Sequence, residues 1–383
     1  MEGIYLDHAA ATPLDPKVLA AMQPFFSDAF YNPSAPYAPA VAVRREYEAA
    51  KQQIARTIGA RGDDLVVTAG ATESINLAFS SFDGHVVTAT IEHHAVLEAA
   101  KKRDHTLVEP DQHGVVSADA IKAAIVPTTN LVSIALANNE LGTIQPLRDI
   151  AEVVKAERQA RLSRGDHTPI YLHTDASQGV GQLDVNVARL GVDMLTLNAA
   201  KVYGPKQVGL LWAAPSVVIA PSIVGGGQER GLRSGTENVA GTVGFAKAME
   251  LASAHRKFES ERLKKLRDTM QDRLVEAFPQ AVVSGHPRHR LAGHLHISFP
   301  HLDAERVLFS LESQGVLVAT GSACAANKGT RSHVLTAIGL APEVADGSLR
   351  ITLGHLSNEE NIPKATNLII ETIRREYERG AAV

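Results

Sequence analysis

Short apolar, β-branched runs alternate with amphipathic helical stretches along the first two thirds of this chain, and that alternation constrains its fold more than any other feature. The runs lie at residues 64–68, 85–90, 131–136, 170–173 and 193–197, with helical patterns such as 41–58 and 147–161 between them. This is the βαβ rhythm, which predicts an α/β domain built on a mostly parallel sheet. Such sheets place ligands at the carboxyl ends of their strands, so the residues just past each run carry the functional information. Beyond Gly241 the texture changes. A long helix over about residues 242–278 is rich in Lys, Glu and Arg, followed by strands at 294–299 and 349–353 and helices at 304–313, 332–338 and 359–379. That pattern predicts a smaller α+β domain hinged on the long helix.

With 383 residues, 45% hydrophobic and 21% charged, the chain is long enough for a large core and two domains. A net charge of -4 gives no sign of a nucleic-acid or membrane surface. No segment approaches the ~20 apolar residues of a membrane helix. The opening MEGIYLDHAA has neither a basic region nor an apolar signal core, so a cytoplasmic location is expected. Cys324 is the one cysteine, which excludes an internal disulfide and any multi-cysteine metal cluster held by one chain. Its setting, ATGSACAANKGTR, is small and polar rather than bulky and apolar, and Lys328 and Arg331 stand near enough in sequence to favour thiolate.

The strand ends carry the chemistry. Asp175 and Gln178 follow one apolar run and Lys201 follows the next. An acid and a lysine on adjacent strand ends are what a pyridoxal cofactor needs: the lysine forms a Schiff base and the carboxylate pairs with the pyridinium nitrogen. The same spacing also fits a capping aspartate and a solvated lysine. Lys206 is the competing amine, in a turn beyond Gly204-Pro205. Gly70-Ala71-Thr72-Glu73 joins a strand to a helix and leaves free N–H groups at a positive dipole end, suited to a phosphate, although Thr72 would be an ordinary N-cap on any helix. The polar, glycine-rich run 225–236 is either a surface loop or a segment that approaches an anion. His93-His94 lacks a cysteine or carboxylate at ligand spacing, so no metal is expected. His294 and His296 share one strand face and read as structural.

Together these segments resemble one family. YLDHAAATP, NPS, GATES, EHHAV, NNELG, HTDASQ, AAKVYGPK, GGGQERGLRSGTEN, TGSAC and LRITLG occur in the order and approximate spacing of the cysteine desulfurases, in the class-V aminotransferase-like group of fold-type I enzymes. The match runs from Tyr5 to about Gly354. The resemblance implies a large domain at 13–255 with a mostly parallel seven-stranded sheet between helices. A smaller α+β domain from 1–12 and 256–383 would carry the Cys324 loop. It further implies pyridoxal 5'-phosphate on Lys201, Asp175 at the ring nitrogen and His93 against the ring as acid/base. Gln178 and Asn138 would meet the ring's phenolic oxygen, and Ala71, Thr72 and Asn198 would be near the phosphate. Thr236 would reach the phosphate of a partner subunit, making a homodimer with shared sites. Arg350, assisted by Asn32, would clamp the carboxylate of L-cysteine. Sulfur would pass to Cys324 as a persulfide and then to an acceptor or scaffold protein serving iron–sulfur clusters or tRNA thiolation.

The chain departs from the family's pattern at Asn198-Ala199-Ala200, where Ser-Gly-His or Ser-Ala-His is usual, and at Tyr37, near the usual place of a histidine. Another class-V activity, aminotransferase or selenocysteine lyase, would retain Lys201 and Asp175. An aminotransferase has no use for an exposed cysteine in a small-residue loop, so TGSAC discriminates it. The altered stretch before Lys201 also leaves a non-catalytic scaffold as an alternative.

Overall fold

In the computed structural model, residues 3–321 and 331–381 are described. Cys324 and Lys328 lie outside the described residues. In chain order the strands are β1 (Ile4–Tyr5), β2 (Leu65–Thr68), β3 (His85–Ala89), β4 (His105–Val108), β5 (Thr129–Ser133), β6 (Tyr171–Asp175), β7 (Met194–Asn198), β8 (Gly209–Ala213), β9 (Val282–Ser284), β10 (His294–Ser298), β11 (Val316–Leu317) and β12 (Ser348–Thr352).

Seven of these form one sheet in the order β2-β8-β7-β6-β5-β3-β4, in which β8 alone runs antiparallel to its neighbours. Its inner strands read Val-Val-Thr, Leu-Val-Ser and Leu-Thr-Leu and are buried along nearly their whole length, as expected where helices cover both faces. Val, Ile and Leu of the sheet pack against the helices Ala38–Ile58 and Leu147–Ser163 on one side. Ala71–Ser80 and His94–Ala100 close the other.

Two smaller sheets lie apart from it: β12-β10-β9, antiparallel, and the β1-β11 pair. The helix Val239–Ala277, 39 residues and about 58 Å long, joins the two regions. Phe245 and Met249 in its first half belong to the core of the large sheet, whereas Leu263, Leu266, Met270 and Leu274 belong to the core of the small one. A helix that contributes to two cores fixes the small sheet relative to the large one, and so fixes Arg350 on β12 relative to the strand ends.

Candidate active site

At the carboxyl edge of the large sheet lies a cavity of about 290 Å³. Its walls come from the segments after β2 (Ala71, Thr72), β3 (Glu92, His93, His94), β5 (Asn138, Glu140), β6 (Asp175, Gln178) and β7 (Asn198, Lys201), closed by Arg350. Five separate strand ends therefore converge, which is why residues far apart in sequence meet here.

Lys201 sits in the 3₁₀ turn Ala199–Lys201 immediately after β7. Its Nζ donates to the carbonyls of Ala9 at 2.7 Å and Ala10 at 2.6 Å. Lys206 instead donates to Thr12 O at 2.7 Å, away from the cavity wall. Asp175 is the last residue of β6, the parallel neighbour of β7, and its Oδ1 accepts from Ser177 N at 2.9 Å. His93 caps the helix His94–Ala100: its Nδ1 accepts from Ala95 N at 3.1 Å. An accepting Nδ1 puts the ring proton on Nε2. Burial lowers the His93 pKa; Asp175 opposes that and Lys201 reinforces it, so the imidazole is neutral near pH 7.

The phosphate-like end is the first turn of Ala71–Ser80. Its cap, Gly70, has φ 146° and offers no side chain, so the N–H groups of this turn have no side-chain cap. Glu73 would repel an anion there, but its carboxylate accepts from Ala69 N at 2.7 Å and from Arg233 Nε at 2.8 Å. Asn198 accepts from Ala200 N at 3.1 Å through Oδ1, which leaves its Nδ2 as a donor on the cavity wall. Asn138 is more committed than the resemblance implies: Oδ1 takes the N–H groups of Glu140 and Leu141, both at 2.9 Å, and Nδ2 donates to Ile91 O at 2.8 Å. One Nδ2–H is left for a ligand. Gln178 donates to Ala9 O at 3.1 Å.

Arg350 is 3% exposed, with Nη2 2.8 Å from Asp7 Oδ1 and Nε unpartnered among the described residues. The structure does not bring Asn32 to this cavity: it is exposed, and its Oδ1 accepts from Ser34 N at 2.9 Å in a local turn. Thr236 is also exposed and outside the cavity of its own chain.

Asp7, Glu92, Glu140 and His333 were given no role from sequence, and His94 was weighed only as half of a histidine pair, although all but His333 stand inside the quoted motifs. Glu92 is fully buried and burial pushes its carboxyl up to about 8, against the pull of the Ala135 N–H. Glu140 is raised by burial too, and accepts from Ser332 Oγ at 2.6 Å. A Cβ on Gly321 would stand 3.1 Å from Ser332 and 3.3 Å from the Glu140 carboxylate. Gly321 and Ser332, on either side of residues 322–330, thus meet beside Glu140, which lines the cavity. The His333 ring lies beside that of His94, centroids 4.8 Å apart and planes tilted by 46°, and its Nε2 is 3.0 Å from Glu92 O.

Amine, carboxylate, neutral imidazole, a helix N-terminus and a buried guanidinium suit a cofactor with a carbonyl, a basic ring nitrogen and a phosphate. Residues 4–364 match the class-V aminotransferase family. The cysteine desulfurase IscS of Dictyoglomus turgidum is 39% identical over 98% of this chain and 95% of that protein. A solved NifS-like protein superposes with a TM-score of 0.89, at 32% identity over 97% of this chain and 99% of that one. SspA, solved in complex with cysteine, gives 0.76 at 36% identity over 91% and 98%. The chain belongs to the class-V aminotransferases, a pyridoxal-phosphate-dependent family. Within it, several curated relatives that it matches along nearly their whole length are named cysteine desulfurases.

Proposed function

We propose that this chain is a cytoplasmic, homodimeric cysteine desulfurase that moves sulfur from L-cysteine to Cys324 and releases L-alanine. The observation that carries it is the meeting of Lys201, Asp175 and Arg350 in one cavity. Lys201 would hold pyridoxal phosphate through its amine and Asp175 would pair with the ring nitrogen. The N–H groups of Ala71 and Thr72, with Asn198 Nδ2, would take the phosphate, and Gln178 with the free Asn138 N–H would reach the ring oxygen. When bound, the cofactor supplies an electron sink for the pair left at the substrate α-carbon.

The chain's own groups do the rest. Arg350 takes the substrate carboxylate in its planar fork, and Asp7 holds that fork in register. Lys201 and His93 Nε2 are the bases placed to move the α-proton. Cys324 is the sulfur acceptor in this scheme. Its thiolate attacks the substrate sulfur; the S–S bond forms as the C–S bond breaks, and the carbon fragment takes up a proton and leaves as alanine. A sulfur-acceptor protein of iron–sulfur cluster or tRNA thiolation chemistry then receives the persulfide. Thr236, exposed on its own subunit, would complete the phosphate site of the partner.

Two variants test this. Lys201→Ala should abolish the near-ultraviolet absorbance of lysine-bound cofactor. Cys324→Ser should keep that absorbance, bind cysteine and form no sulfide or alanine. Normal alanine production by Cys324→Ser would refute the persulfide route.

A further inference from the structure

Behind Lys201 lies a second cavity of about 60 Å³, between the small sheet and the long helix. Ala9, Gln178 and Lys201 line both cavities and so form the wall between them. The far side of the smaller one is rich in imidazole: His8, His255, His294 and His355, with Glu259 beside them. His8 is 6% exposed and His294 3%.

Hydrogen-bond roles follow from the partners. His8 Nδ1 lies 3.0 Å from Thr352 O, and a carbonyl only accepts, so Nδ1 carries the proton and Nε2 is an acceptor. Nε2 has no partner among the described residues, and neither ring nitrogen of His294 has one. Burial lowers both imidazole pKa values, that of His294 to about 3, so both rings are neutral near pH 7. Three unpartnered ring nitrogens on two buried side chains of one cavity call for water. The volume accommodates at least two molecules, at roughly 30 Å³ each. A neutral ring that donates through one nitrogen and accepts through the other suits water as its partner. At the outer end, His355 is stacked on Tyr203 with centroids 3.6 Å apart, and its half-exposed ring lies 3.8 Å from the Glu259 carboxylate.

We propose that the second cavity binds a short file of water molecules that conducts protons between Lys201 Nζ and bulk solvent. The proposal rests on Lys201 as the reactive amine. An amine bonds to a carbonyl carbon only once it is neutral. In the proposed step an N–H bond of the Lys201 ammonium breaks and its proton joins the nearest water, while the water at the His355 end gives one to solvent. No electrons change hands. His8 and His294 orient the file and end the step as neutral as they began. The route has a use because cofactor and substrate fill the front cavity, and the rear one keeps its own access to water.

A high-resolution crystal structure of the holoenzyme should show at least two ordered waters bonded to His8 Nε2 and to His294; a dry cavity overturns the proposal. Kinetically, the growth of lysine-bound cofactor absorbance when pyridoxal phosphate is added to the cofactor-free protein should show a solvent deuterium isotope effect. His294→Leu, and Ala252→Leu which fills the cavity from the long helix, should slow it by about tenfold with cofactor affinity unchanged, while His294→Asn should stay within about twofold of the parent. Equal rates in all variants, or slowing matched by lost cofactor affinity, would overturn it. An absorbance signal that persists in Lys201→Ala would remove the lysine's role and the water route with it, which separates that failure from failure of the route alone.

Discussion

Glu92 carries the most consequential single ionisation near the cavity. Its carboxyl is fully buried, held up to about 8 from an ordinary 4.5, first by burial and then by the charge of Asp175. A neutral acid here spares Asp175 a second negative charge at close range, so Asp175 remains available to a ring nitrogen. The stability consequence has a definite sign. Between the unfolded and folded values the unfolded chain releases its proton while the folded chain keeps it, so the contribution is least unfavourable below about pH 4.5 and worsens up to about pH 8. The slope approaches about 1.4 kcal/mol per pH unit. Glu92→Gln, uncharged throughout, should gain stability relative to the parent by about that slope from pH 5 to 7 in urea melts of cofactor-free protein. Parallel stability curves for the two proteins would mean that Glu92 is ionised when folded. That Lys201, Asp175 and Gln178 would line one cavity was readable from sequence because each stands at or just past a strand end, whereas His93 entered through the family resemblance. Arg350–Asp7 and Glu140–Ser332 were not readable, because their partners are 343 and 192 residues apart and only the folded chain joins them.

At the level of elements, the parallel strands announced themselves as continuous apolar runs, and the long helix by its periodicity. Five strands escaped, β1 and β11 among them at two residues each. β4 and β9 are four and three residues long, too short to show any period, and their burial is mixed. β8 reads Gly-Leu-Leu-Trp-Ala, buried throughout, and such a run does not separate strand from helix or disclose its antiparallel direction. That strand nonetheless shapes the phosphate end. A Cβ on Gly209 of β8 would lie 2.6 Å from the backbone of Gly70, so the strand passes directly under the helix cap. Gly70 itself has φ 146° and ψ 177°, a region nearly closed to residues with a Cβ, although the space beside it is open. Gly70→Ala therefore tests conformation without a clash. It should cost about 1–3 kcal/mol of stability, or shift the cap and weaken pyridoxal phosphate binding by a corresponding amount. Unchanged melting and unchanged cofactor affinity together would show that the turn does not depend on this geometry.

For the whole molecule, the open question is whether one chain makes a complete site. The cavity contains Lys201, Asp175 and Arg350 from a single chain, yet Thr236 is exposed and outside it. Its segment is anchored to the body of the same chain: Glu229 accepts from Lys51 Nζ at 3.1 Å and Val67 N at 2.9 Å, and Arg233 pairs with Glu73. An anchored loop presenting an uncovered hydroxyl suits a role outside its own subunit. Complementation tests this directly. Lys201→Ala inactivates the cavity of its own chain, whereas Thr236→Ala would impair only the partner's. In a mixed dimer of the two variants with the proposed shared sites, the cavity with intact Lys201 would receive its threonine from the other chain and be whole. Random pairing makes half the dimers mixed, each with one working site of two, so refolding the variants together should recover about a quarter of parental sulfide release. If Thr236 served its own chain, the mixed dimer would hold one site without its lysine and one without its threonine. Activity would then stay at the average of the two separate variants.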